Sequence, residues 1–162
     1  VPRRHGFRAG RKSDARGRSL SGFLIDTSSL SLLAPGRVNT AIADAIRRHS
    51  KALFLPTIAV CEIHAGIFKL RRQGAVRRAD ALDQWLGRLV EGFGSRVLDF
   101  DLAAAHHAGR LSDATLARGR HPGFADIAIA ATARSRNLVV ITENLRHLEP
   151  MEVEFIALNE LA

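Results

Sequence analysis

Several carboxylates of this chain lie next to or within apolar segments, and these positions suggest a shared function. Asp26 directly follows the apolar run Gly22–Ile25, while Glu62 and Asp126 lie within apolar segments that have helical spacing. Burying one ionised carboxylate without a partner costs several kcal/mol, and burying several together costs more because they repel one another. A divalent cation bound between them would remove that cost.

The oxygen-only character of these side chains narrows the choice of ion. Carboxylates select a hard cation such as Mg²⁺ or Mn²⁺. Glu143 and Asn144 follow another apolar run and bring further oxygen atoms to the set. Such an ion usually keeps water molecules and takes its remaining ligands from substrate phosphates. The residues therefore predict a metal-activated water that attacks a phosphodiester bond.

The same residues could instead serve structural roles. The sequence also lacks the motifs of several other catalytic chemistries. Asp26 is suited to cap a helix that follows it, and Asp126, near the start of a helix, is suited to interact with the helix dipole. The chain has neither a GxxxxGK phosphate-binding loop nor a GxSxG nucleophile elbow. His106 and His107 are adjacent, so they point in different directions on a helix, and we expect no zinc site.

Short apolar runs alternate with segments of helical periodicity along the chain. The elements that they predict determine where the acidic side chains lie. Five runs predict strands, at residues 22–25, 52–55, 96–100, 138–141 and 153–157. This alternation predicts an α/β fold: a mainly parallel five-stranded sheet flanked on both faces by helices, in an α/β/α arrangement. Asp26 would stand at the carboxyl end of the first strand, which is where open parallel sheets bind ligands.

The length and charge distribution indicate one folded domain after a basic segment. The chain has 162 residues, of which 46% are hydrophobic, enough for a single core. Residues 1–20 carry +6 of the net charge of +8 and show no apolar periodicity, so we predict a disordered extension before a domain at 21–162. This extension is either a phosphate-binding tail or, since the chain begins with Val1, a stretch upstream of the native start.

Composition also bears on the cellular setting. The single cysteine, Cys61, excludes an internal disulfide and favours a reducing cytoplasm. No apolar run approaches the roughly 18 residues that a membrane span needs, and no hydrophobic segment follows the basic amino end as in a secretory signal. We therefore expect a cytoplasmic protein without a membrane partner. A cluster of arginines is either a solvated face or an RNA-facing patch, and comprises Arg71, Arg72, Arg77 and Arg78.

Four short motifs, taken in order, resemble the PIN domain family. They lie at residues 25–28, 56–66, 125–133 and 140–144, and the likeness extends over about residues 22–160. The closest resemblance is to the VapC and FitB-like toxins of bacterial toxin–antitoxin pairs. Each motif alone is weak, but the four together, at family-like spacing, are specific. The resemblance implies a single PIN-like domain.

The resemblance also implies a function. Toxins of this kind are Mg²⁺- or Mn²⁺-dependent endoribonucleases that cut RNA, form homodimers and are inhibited by a small VapB-like antitoxin encoded beside them. The chain is accordingly expected to be the toxic component of a type II toxin–antitoxin pair. The alternative is a catalytically weak PIN-like module that binds RNA or regulates another protein.

The catalytic set follows from the resemblance residue by residue. Asp26 and Asp126 match the metal-binding aspartates, and Glu62 matches the acid that completes the site and helps to place metal or water. Asn144 falls where many members have a fourth acid, although asparagine is also common there.

Three polar neighbours have supporting roles in this interpretation. Thr27 and Thr142 are candidates to hydrogen-bond a carboxylate or a phosphate. Glu143 adjoins Asn144 and is a possible substitute for a fourth acid, but we expect its side chain to point elsewhere.

Overall fold

A computed structural model describes most of the predicted domain. The described residues are 21–37, 40–144, 151 and 153–161. The basic segment 1–20, for which we predict disorder, lies outside them.

Five strands form one parallel sheet, as predicted. The strands are β1 (Gly22–Ile25), β2 (Leu53–Pro56), β3 (Val97–Leu98), β4 (Leu138–Ile141) and β5 (Phe155–Ile156). They are arranged in the order β3-β2-β1-β4-β5, and every neighbouring pair is parallel. The outer strands β3 and β5 are shorter than the predicted runs 96–100 and 153–157. Each pairs on one side only, so fewer backbone hydrogen bonds extend it.

In the described part of the chain, six α-helices connect and cover the strands. They are α1 (Thr27–Ser31), α2 (Thr40–Arg48), α3 (Thr57–Arg72), α4 (Val76–Phe93), α5 (Leu102–Ala117) and α6 (Phe124–Arg136). Within the described ranges, no helix combines the length and the apolar character that crossing a bilayer requires.

The two faces of the sheet pack against different helices, which confirms the predicted α/β/α layers. Successive side chains of a strand point to opposite faces. Leu24 and Val140 pack on one face with residues of α5 and α6. Ile25 and Leu55 pack on the other face with residues of α1, α3 and α4. Strand β1, which contains both Leu24 and Ile25, is therefore covered on both sides. This burial accounts for its almost uninterrupted apolar sequence.

The central part of helix α6 is buried, as its sequence predicts. Residues 127–133 are all buried, and four of these seven are alanine. Small side chains let the helix lie close to α5, β4 and β1. This close packing fixes the position of the first turn of α6, which carries Asp126.

We predict that the centre of the sheet is the most sensitive part of the core. Leu24 is fully buried, so Leu24→Ala should lower the free energy of unfolding by about 2–5 kcal/mol, because it removes buried methyl groups and leaves a cavity. Urea titration followed by circular dichroism measures this change. The matched control is Leu102→Ala: this leucine is 74% exposed, so the change should stay within about 0.5 kcal/mol. Equal losses in both variants would contradict the described core.

Candidate active site

The candidate site forms where β1 and β4 end side by side. The two strands are parallel, with Ile25 opposite Ile141. The next residues, Asp26 and Thr142, therefore leave the sheet at the same edge, and the Asp26 backbone N–H donates to the carbonyl of Ile141 at 3.0 Å. From β1 the sheet continues to β2 and β3 on one side and to β4 and β5 on the other. Such a switch point is the usual ligand-binding crevice of an open parallel sheet.

Three donors hold the Asp26 carboxylate. Its Oδ1 accepts from the backbone N–H of Ser29 at 2.8 Å, which confirms Asp26 as the cap of α1. The hydroxyl of Ser28 lies 2.9 Å from Oδ1 and 3.1 Å from Oδ2. The hydroxyl of Thr142 donates to Oδ2 at 2.5 Å. The predicted hydrogen bond from Thr142 to a carboxylate is thus confirmed.

A second layer of hydrogen bonds directs these hydroxyl groups. Ser28 Oγ accepts from the backbone N–H of Glu143 at 3.0 Å, and Thr142 Oγ1 accepts from the backbone N–H of Asn144 at 2.9 Å. Each hydroxyl oxygen accepts a hydrogen bond from one of these N–H groups, and its own proton is then available to donate to Asp26. The turn after β4 therefore binds to the turn after β1 and orients the carboxylate.

Burial makes Asp26 electrostatically unusual. The residue is only 7% exposed. This desolvation raises the pKa of the Asp26 carboxyl, although the hydrogen bonds from Ser29, Thr142 and Ser28 act in the opposite direction. In the described part of the chain, no lysine, arginine or histidine forms an ion pair with it. Asp26 is therefore a buried acid that hydrogen bonds stabilise but no cationic side chain neutralises.

Glu62 departs from our expectation of a buried carboxylate. Its side chain leaves α3 on an exposed surface, so the cost of burial does not apply to it. The reason is its direction: Glu62 faces α1, where its Oε2 accepts from the hydroxyl of Thr27 at 2.5 Å. Thr27 adjoins Asp26 in the chain, so this bond places Glu62 beside the strand end and confirms the predicted hydrogen bond from Thr27 to a carboxylate.

Asp126 lies in the first turn of α6 and is half-buried. Gly123 caps this helix, and Asp126 Oδ2 lies 3.8 Å from the point where a Cβ on Gly123 would stand. The partial positive charge of the helix N-terminus stabilises a carboxylate at this position. Helix α6 also contacts β1 and α3, the elements that carry or precede Asp26 and Glu62.

The structure brings the predicted ligands together only in part. Across residues 21–37, 40–144, 151 and 153–161, no three His, Cys, Asp or Glu side chains form a group that could hold a metal ion. Asp26 itself suits a hard cation: a carboxylate offers about four acceptor positions, and three donors contact it. The Ser28 hydroxyl shares its one proton between the two oxygens, and a negative charge that no described cationic side chain neutralises remains for an ion.

Of the two residues that follow Thr142, Glu143 points away from the candidate site and Asn144 lies next to it. Glu143 Oε1 accepts from the backbone N–H of Leu158 at 3.0 Å, so its side chain points to the C-terminal segment, as expected. Asn144 is half-buried beside Thr142. Ser28 was not predicted to take part. The sequence shows only that Ser28 comes two residues after Asp26. Serine is common at this position at the start of many helices, so its contact with Asp26 could not be predicted.

A groove of about 450 Å³ adjoins the site between α1, α3 and α4. Thr27 and Glu62 stand on its wall, and its other lining residues are mainly apolar with three cations at the surface, namely Arg37, Lys69 and Arg78. Within the predicted arginine cluster, Arg71 instead pairs with Asp80 at 3.1 Å and Asp83 at 2.8 Å. Two members of the cluster are thus placed, Arg71 in an ion-paired helical hairpin and Arg78 on the groove.

Comparison with known proteins gives consistent family matches. The PIN domain family model matches residues 23–150. The tRNA(fMet)-specific endonuclease VapC of Shigella flexneri is 46% identical over 63 residues, which are 38% of this chain and 48% of that protein. Ribonuclease VapC2 of Haemophilus influenzae is 28% identical over 108 residues, 67% of this chain and 76% of that protein. The chain thus spans about half the length of the Shigella relative that it matches.

Solved structures share the fold. A chain of the DNA-bound VapBC complex from Salmonella typhimurium is 27% identical, with a TM-score of 0.70 over 86% of this chain and 99% of that one. A chain of FitAcB from Neisseria gonorrhoeae also has a TM-score of 0.70, over 84% of this chain and 97% of that one. At 23% identity the second likeness concerns the fold alone.

We predict that Asp26 makes stability depend on pH in a defined direction. Because its pKa is higher in the folded state, its contribution to stability is most favourable below the unfolded pKa and is lost as pH rises through the folded pKa. Asp26→Asn removes the charge, so the free energy of unfolding of the variant relative to wild type should increase from pH 4 to pH 7. Urea titrations of both proteins at several pH values measure this difference. A difference that falls with pH would contradict the buried, unneutralised carboxylate.

Proposed function

Because the chain belongs to the PIN domain family, we propose that it is a divalent-metal-dependent endoribonuclease and the toxic component of a type II toxin–antitoxin pair. The observation that carries this proposal is Asp26, a buried carboxylate at the switch point of the sheet, held by three donors and without a cationic partner among the described residues. Relatives named as VapC endonucleases and ribonucleases support it.

Asp26, Asp126 and Glu62 are the residues that would hold Mg²⁺ or Mn²⁺. When bound, such an ion supplies a water of lowered pKa and offsets the negative charge that develops on the phosphate. Ser28 and Thr142 keep Asp26 in one orientation, so little reorganisation is needed during the reaction.

Glu62 and Asn144 complete the proposed catalytic set. Glu62 is exposed and held by Thr27, so it can accept a proton from solvent or position a water molecule. Asn144 contributes a neutral amide where an acid would add another negative charge. This substitution favours a site that binds fewer ions.

The proposed substrate is single-stranded or looped RNA. A net charge of +8 favours association with a polyanion, although residues 1–20 carry most of it. Two relatives are named as specific for tRNA(fMet), so the initiator tRNA is the first substrate to test.

We predict metal-dependent RNA cleavage that needs both aspartates. Purified protein should cut RNA with Mg²⁺ or Mn²⁺ and not with EDTA. Asp26→Asn and Asp126→Asn should each reduce the cleavage rate by more than about 100-fold, because losing a ligand is at least as damaging as losing a residue that orients one. The ions should also raise the melting temperature of wild type but not of Asp26→Asn. Gel assays and thermal melts measure these effects.

The control for this experiment is Asp113→Asn, which changes an exposed carboxylate on α5 and should leave cleavage unchanged. Cleavage by both aspartate variants at the wild-type rate would reject the proposed site. RNA binding without cleavage under either metal would favour the second function, a catalytically weak RNA-binding module. Asn144 and the lack of a three-ligand group within the described residues are the observations behind that alternative.

We also propose a VapB-like antitoxin as partner and a homodimer as the assembly. Several structural neighbours come from toxin–antitoxin complexes. The groove between α1, α3 and α4 is a suitable contact surface because it combines apolar walls with Arg37, Lys69 and Arg78. An amphipathic segment with acidic residues would complement it, and it would pass beside Glu62 at the edge of the site.

Trp85 offers a direct test of this contact. It is the only tryptophan of the chain and lines the groove. Adding the product of the neighbouring antitoxin reading frame should shift its fluorescence, and Arg78→Glu should weaken binding about tenfold by placing like charges together. Asp113→Asn serves again as the control. Tight binding without a change in Trp85 emission would place the antitoxin on another surface of the protein. The molecular mass measured by light scattering tests the proposed homodimer.

A further inference from the structure

Phe124 is an exposed aromatic residue beside the candidate site. It is the first residue of α6, two positions before Asp126, and 64% of its surface is exposed. Full burial of such a side chain is worth about 1.5–3 kcal/mol, so its exposure forfeits stability. Single exposed apolar side chains are common, and its surroundings therefore decide whether Phe124 has a role.

A neighbouring ring holds Phe124 in place. Phe100 contacts it edge-to-face, with the ring centroids 5.8 Å apart and the planes at 75°. Phe100 is itself half-buried against the core formed by α5, α6 and the sheet. One side of the Phe124 ring is thus anchored to the core while much of its surface stays open. A flat apolar surface held in this way loses little freedom when a ligand binds to it.

The approach to Phe124 is basic and sterically open. Arg118, Arg120 and His121 are all exposed in the segment that leads into α6. Gly123 follows them and places no side chain between this segment and the carboxylate of Asp126. The arginines would therefore attract a polyanion to the start of α6, which carries both Phe124 and Asp126, although these two side chains leave the helix in different directions.

We infer that Phe124 is a substrate-positioning residue on which one unpaired base of single-stranded RNA stacks. This inference rests on the proposed function. Proteins recognise unpaired RNA by stacking bases on aromatic side chains while cationic residues follow the backbone, and every base offers a suitable face. Stacking on Phe124 would hold the RNA strand at the first turn of α6, the turn that also carries Asp126. The residue would act on substrate placement and not on the chemical step.

The test uses a short single-stranded RNA that carries one 2-aminopurine, whose fluorescence falls when it stacks. Binding is measured with full-length protein in the Asp26→Asn background, so that cleavage does not interfere. Phe124→Leu should weaken binding by about 5- to 150-fold, the range for removing one stacking aromatic, and should abolish the quenching. Phe124→Trp should restore both. With Asp26 intact, Phe124→Leu should raise KM by a similar factor and change kcat little.

The matched control is Phe68→Leu. Phe68 is 58% exposed on α3, but His64 stacks on its ring and Arg71 lies over it at 5.8 Å. This variant should bind the RNA like the Asp26→Asn parent. If Phe124→Leu and Phe68→Leu bind equally well, the stacking role is refuted while cleavage by the wild type keeps the nuclease proposal.

The remaining outcomes separate the two proposals further. Quenching that depends on Phe124 without cleavage under Mg²⁺ or Mn²⁺ would support the stacking role and reject the nuclease. No RNA binding by the parent protein would overturn the stacking role. A Phe124→Leu variant that binds RNA normally but loses its protein partner would overturn it as well, since the exposed ring would then serve protein recognition.

Discussion

The desolvated carboxylate of Asp26, held between two strand ends, is the constraint on which the rest of the site depends. A buried acid is costly when, as among the described residues, no cationic side chain pairs with it, and the fold offsets this cost with hydrogen-bond donors from Ser28, Ser29 and Thr142. Ser29 donates through its backbone because α1 begins directly after β1, and Thr142 reaches Asp26 because β4 lies next to β1. Both donors exist only when the sheet and the first helix are formed, so the site is preorganised by folding.

The other acids of the proposed site differ in how the fold exposes them. Asp126 is half-buried at the start of a helix whose remaining residues are mostly buried, so its position is rigid. Glu62 is exposed and depends on one hydroxyl, that of Thr27. The site therefore combines a fixed interior anchor with a more accessible outer acid. This division suits chemistry in which one group stays in place while another exchanges protons with water.

The candidate site and the adjoining groove share residues. Thr27 and Glu62 belong to both, because α1 and α3 form one wall of the groove and also flank the end of β1. A partner that fills the groove would contact the outer acid without reaching Asp26. Occupancy of this groove would thus cover Glu62, a member of the proposed catalytic set. On the opposite side of the site, Phe124 presents an open ring to the solvent.

Local patterns determined the elements, the α/β class, the burial of α6 and the place of Asp26 at a strand end, since these depend on residues two to four positions apart. The motifs also determined the family, which the match over residues 23–150 confirms. Tertiary packing decided the strand order, the bond between Asp26 and Thr142, which are 116 residues apart, the role of Ser28 and the exposure of Glu62. Side-chain periodicity describes one element at a time, whereas these contacts depend on which elements become neighbours, and that is settled by the burial of the whole core.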